Sequence, residues 1–106
     1  MKLSFSLLLL IASLGSSSAF ANAKLAEDKN CMSCHSVSQK RVGPTFRDVA
    51  AKYAGQKDAV DKLTQKVLNG SSGAWGPVFM PAMKRANPAV SDADARTLVE
   101  WVLSQK

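Results

Sequence analysis

Cys31-Met32-Ser33-Cys34-His35 is the stretch from which the rest of the chain can be read. The spacing C-x-x-C-H is what covalent haem attachment needs. Two thiols about one helical turn apart can each add to one of the porphyrin's two vinyl groups, and the next residue places an imidazole under the iron. Two other chemistries use a C-x-x-C pair. A thiol–disulfide couple at a helix N-terminus expects a thioredoxin-like βαβ context, and no stretch here alternates in the strand period over a useful length. A zinc site needs further Cys or His ligands, but the chain holds two Cys, and His35 is its one histidine.

Upstream of this stretch, Met1-Lys2 gives a short positive start, followed by an apolar run from Leu7 to Ala12 continued by Leu14. Gly15 and three serines then lead to the small-x-small triplet Ala19-Phe20-Ala21. That order is the order of a secretory signal peptide. The run falls well short of the roughly 20 apolar residues that span a bilayer. The expectation is a leader over residues 1–21, with Ala21-Asn22-Ala23 allowing cleavage after Ala23 instead. Removing Lys2 with the leader takes the formal charge from +6 to +5. Export suits the pair of cysteines, because thioether bonds are not reducible and c-type haem is attached on the exported side. The periplasm is the expected location, with no membrane insertion.

Downstream, the periodic segments read as helices. Lys24 to about Asn30 is helix-permissive. Phe46, Val49, Ala50 and Tyr53 form an i, i+3, i+4, i+7 stripe, and Gly55 stands where a C-terminal cap belongs. Ala59, Val60, Leu63, Val67 and Leu68 share a face that Asn69-Gly70 ends. Ser91 opens the last helix with Asp94 three residues on, an Asp-containing capping box. Leu98, Val99, Trp101, Val102 and Leu103 give that helix a broad apolar side. The expected fold is all-α: four or so short helices around one covalently attached haem, in a single domain over residues 22–106.

The whole chain has 106 residues, 46% hydrophobic and 21% charged. That is one domain's length, neither disordered nor fibrous. So small a core needs a staple, and the large cofactor supplies it. Gly70 to Val90 holds three Gly, three Pro, Trp75, Phe79, Met80 and Met83. It reads as a long loop without a helix of its own, covering something apolar.

With no second histidine, the donors open to a sixth iron position are methionine, lysine, the N-terminal amine, water or nothing. Met32 lies inside the attachment turn and cannot reach the opposite face. Met80, after Trp75-Gly76-Pro77-Val78-Phe79 and before Pro81, is placed to do so, with Met83 as the alternative.

Several stretches together resemble the small bacterial class I cytochromes c, the short periplasmic carriers named five-fifty-one or five-fifty-two after their absorption band. They are Leu25-Ala26, Cys31 to His35, Val42-Gly43-Pro44, Asp48 to Gly55, Asn69 to Pro77, Met80-Pro81 and Trp101 to Lys106. The resemblance covers essentially all of residues 22–106. It implies His35 and Met80 as axial ligands. It implies that the Pro44 carbonyl accepts a hydrogen bond from the other nitrogen of His35. It further implies that Trp75 donates its indole N–H to a haem propionate, with Lys66 near the same propionate. One stretch departs from the family's Met-Pro-Pro-Asn: here Met80 to Val90 runs several residues longer, and Met83 stands where the family's Asn would bond the ligand sulfur.

Thioether is a soft donor that favours ferrous iron, and a closed six-coordinate centre leaves no position for oxygen or peroxide. The expected function is one-electron transfer, without enzyme activity, between redox partner proteins such as a cytochrome complex, an oxidase or a nitrite reductase. A haem enzyme or gas sensor would need the methionine absent or labile. The chain is expected to be a monomer. Its basic side chains serve solubility or steer an acidic partner; there is no basic run or aromatic-interleaved patch for nucleic acid.

Overall fold

The computed structural model describes residues 17–106 of the chain. The charged start and apolar run of the expected leader lie outside the described residues. Its cleavage triplet falls within the first helix.

Four α-helices form the frame of the described structure: α1 (Ser17–Asp28), α2 (Phe46–Lys52), α3 (Ala59–Asn69) and α4 (Asp92–Leu103). Helix α1 starts earlier than the periodicity suggested and ends where Asn30 takes a φ of 62°. A 3-10 turn over Cys31–Ser33 follows at once. Helix α2 is held at its N-terminus by Thr45, whose hydroxyl accepts the Asp48 N–H at 3.0 Å. Ser91 does the same for α4, accepting the Asp94 N–H at 3.1 Å. Each hydroxyl satisfies one of the first-turn donors that a helix cannot pair internally. The Asp94 carboxylate pairs with Lys29 across 3.8 Å, tying the end of α1 to the start of α4. Arg96 on α4 pairs in the same way with Asp61 on α3.

The expectation that Gly70 to Val90 lacks regular structure is corrected. It contains an antiparallel hairpin of β1 (Ser71–Gly73) and β2 (Gly76–Met80), with Ser71 opposite Met80 and Gly73 opposite Gly76. Gly73 and Gly76 take φ values of +86° and +114° on either side of Ala74-Trp75. Only glycine adopts such values cheaply. Gly76 and Pro77 hide the strand, because both are rare in strand interiors. A second 3-10 turn covers Met83–Arg85. The Met83 carbonyl accepts from Ala86 N at 3.2 Å and from Val90 N at 3.0 Å, closing the remainder of the loop.

Two apolar clusters fill the interior. The first joins Ala26, Phe46, Leu68, Val90, Ala95, Leu98 and Trp101, one or more from every helix, with Met83 packed against it. The second joins Val49, Tyr53, Ala59, Leu63 and Val99. Ala26 is fully buried, and Leu98 and Val99 are each less than a twentieth exposed. The interior side chains surround a cavity rather than meeting at its centre.

A candidate haem site

The cavity has a volume of about 780 Å3, within the roughly 300–1,000 Å3 usual for cofactor sites. Its lining is predominantly apolar: Phe46, Val49, Leu63, Val67, Leu98, Val99, Trp101 and Val102 among others. Every residue picked out from the sequence lies on its wall: Cys31, Cys34, His35, Pro44, Lys66, Trp75, Met80 and Met83.

The attachment turn is built by local hydrogen bonds. Cys34 N and His35 N both donate to Cys31 O, at 3.2 and 3.0 Å, so the thiols and the imidazole follow one turn of chain. Neither cysteine is in a disulfide, and both are half-buried on the cavity wall. Burial pushes the Cys31 thiol above its ordinary range, against a smaller opposing effect of a backbone hydrogen bond.

The imidazole of His35 is fixed on three sides. Its Nδ1 lies 2.8 Å from the Pro44 carbonyl oxygen, the bond that orients a metal-ligating ring and leaves Nε2 free. Phe46 stacks on it, with centroids 5.0 Å apart and planes at 24°, and Trp101 meets Phe46 edge-on at 5.5 Å. Gly43 closes the third side. A Cβ there would lie 2.5 Å from Cε1 and 2.8 Å from Nδ1 of His35. The main chain therefore approaches the ring as nearly as it can.

The hairpin makes another part of the wall. Trp75 at its turn is 43% exposed. Lys52 holds the turn, with its Nζ 4.5 Å from the centre of the Trp75 ring and donating to Ala74 O at 3.1 Å. Lys66 Nζ donates to the Tyr53 hydroxyl at 3.5 Å. Met80 ends β2, and Met83 opens the following 3-10 turn.

Sequence reasoning missed the Gly43 cradle and the Lys52 clasp. Gly43 stands before Pro44 in a stretch read only for its carbonyl. Lys52 meets a turn 22 residues away, and no local pattern announces such a contact.

These groups suit a haem. Two thiols and an oriented imidazole stand on one segment, soft sulfur donors on another, and apolar side chains lie between them. The lining also carries polar side chains, among them Asn30, Lys40, Asp48, Lys66 and Ser71.

Comparison with known proteins agrees with this chemistry. The family model described as cytochrome c matches residues 21–106. Cytochrome c-552 of Hydrogenobacter thermophilus is 52% identical over 87 residues, covering 82% of this chain and 84% of that one. Cytochrome c-551 of Pseudomonas aeruginosa is 51% identical over 82 residues, 77% of this chain and 74% of that one. Among solved structures, wild-type cytochrome c552 of Nitrosomonas europaea aligns with a TM-score of 0.73 at 49% identity, over 79% of this chain and 99% of that one.

Proposed function

Because the chain belongs to the cytochrome c family and so carries one covalently bound haem c, we propose that it is a periplasmic electron carrier with His35 and Met80 as axial ligands. Bound haem supplies a one-electron iron couple. The chain's own residues decide what that couple can do. Cys31 and Cys34 hold the group as thioethers, so it stays in place outside the reducing cytoplasm. His35, oriented by Pro44 and blocked from turning by Gly43 and Phe46, presents Nε2 to the iron.

Met80 ends β2 on the cavity wall, whereas Met83, which also lines the cavity, is packed against the first apolar cluster. That engagement favours Met80 as the sixth ligand. Trp75 and Lys66 supply N–H donors to the propionates, and Lys52 and Tyr53 steady those two side chains. A thioether at the sixth position raises the potential by favouring ferrous iron, and it excludes water from the metal. The leader over residues 1–21 directs export, and the mature chain acts as a monomer between donor and acceptor proteins. Among the described residues, no helix is long and apolar enough to cross a membrane.

The observation that carries this reading is the single cavity shared by Cys31, Cys34, His35 and Met80. The test is the visible spectrum of the ferric holoprotein. It is expected to show a c-type spectrum with the weak long-wavelength methionine–iron band, lost in Met80→Ala and kept in Met83→Ala. A wild-type spectrum without the band would move the reading to a haem enzyme or sensor with an open sixth position. The reverse pattern in the two variants would exchange the ligands.

A further inference from the structure

Gly70 ends helix α3, its N–H donating to Lys66 O at 2.9 Å, and its φ is +86°. A Cβ on Gly70 would lie 2.9 Å from the carbonyl oxygen of Met80, 3.3 Å from the amide nitrogen of Ala82 and 3.5 Å from the carbonyl carbon of Pro81. The main chain of Met80-Pro81-Ala82 thus rests directly on the bare Cα at the end of α3. The next residue, Ser71, is the register partner of Met80. Position 70 is therefore fixed from one side by a helix and sets the place of the ligand segment on the other.

Three other glycines, Gly55, Gly73 and Gly76, also have positive φ, but a Cβ on any of them meets nothing within 4 Å. Backbone conformation alone explains those three. Contact with the ligand segment distinguishes Gly70.

We propose that Gly70 is a positioning residue for the sixth iron ligand: the absence of a side chain there sets how closely the Met80 main chain lies to α3, and so the reach of its thioether into the cavity. The inference rests on Met80 being that ligand. A side chain at position 70 must push Met80-Pro81-Ala82 away from α3, because the atoms it meets are backbone and cannot rotate aside. The displaced thioether then binds iron less well and yields more readily to a competing donor.

The experiment uses ferric holoprotein and imidazole as the competing ligand. Gly70→Ala is expected to weaken the long-wavelength methionine–iron band and to bind imidazole about tenfold more tightly than wild type. Gly55→Ala shares the positive φ, at +77°, without the contact. It is expected to match wild type in both readouts. A folded Gly70→Ala with wild-type band and imidazole affinity overturns the inference, as does an equal change in Gly55→Ala. Should Gly70→Ala fail to fold, refolding in saturating imidazole decides. Recovery of folded low-spin protein supports the inference, because the added ligand replaces only what Met80 supplied. No recovery overturns it, placing the damage in α3. A wild-type protein without the band, by contrast, removes the Met80 reading itself and this inference with it.

Discussion

A methyl group on Gly43 would overlap the imidazole that it faces, with 2.5 Å to Cε1 where van der Waals contact needs well over 3 Å. Gly43→Ala is therefore expected to swing His35 away from the Pro44 carbonyl and cost about 1–3 kcal/mol. Chemical denaturation of the holoprotein measures the loss, and shifted imidazole resonances in its NMR spectrum locate it. An unshifted ring would mean that the Gly43 backbone yields instead. Thr64 poses the opposite case. Its hydroxyl is buried on α3 and has no hydrogen-bond partner among the described residues. Thr64→Val keeps the shape and removes the unpaired oxygen, so a stability gain of about 1 kcal/mol is expected, read as a higher urea midpoint. A lower midpoint would show that the hydroxyl has a partner after all. At this scale the attachment residues were legible because their spacing is itself the chemistry. Gly43 was not, since a glycine's close approach is a property of the folded backbone and leaves no mark in the local pattern.

Helices α2, α3 and α4 follow their apolar stripes closely, although α2 stops at Lys52 with Tyr53 as its C-cap and the expected Gly55 lies two residues beyond, in the turn that follows. The N-terminal caps can be tested singly. Ser91→Ala removes the acceptor for the Asp94 N–H and is expected to cost about 1 kcal/mol, measured by urea unfolding. No change would mean that water caps α4 equally well. The box expected there is half made: the Ser91 hydroxyl bonds the Asp94 amide, but the Asp94 side chain turns to Lys29 instead. A carboxylate one carbon shorter than Glu reaches back less easily, and a cation just past the end of α1 offers a better partner. The hairpin escaped the periodicity for another reason. Its strands are three and five residues long, one begins with Gly-Pro, and its order comes from glycine turns and the Lys52 clasp rather than from alternating side chains. Short strands held by tertiary contact leave too little sequence to show a period.

Across the whole molecule the charge is unevenly matched: 14 Lys and Arg against 8 Asp and Glu. Lys40, Arg41, Arg47, Lys52, Lys57, Lys84 and Arg85 are all exposed. A long-range positive field results, which speeds encounter with an acidic partner and is screened within about 10 Å at 0.1 M salt. The electron-transfer rate with a physiological oxidase or reductase is therefore expected to fall as ionic strength rises, measured by stopped-flow. A flat salt profile would assign docking to apolar contact, with Val42, Val78 and Phe79 among the exposed apolar groups available for it. The overall architecture was legible because one large apolar ligand organises a small chain, so the motif that binds it also dictates what must surround it. The path of residues 81–90 was not, because nothing in their composition says where the extra length goes. It goes into a circuit that leaves the Met83 carbonyl and returns to it through the Val90 amide, 3.0 Å away. A detour that starts and finishes at one hydrogen bond hands the chain back almost where it received it. Residues can be gained or shed inside such a circuit while the strand before it and the helix after it keep their places.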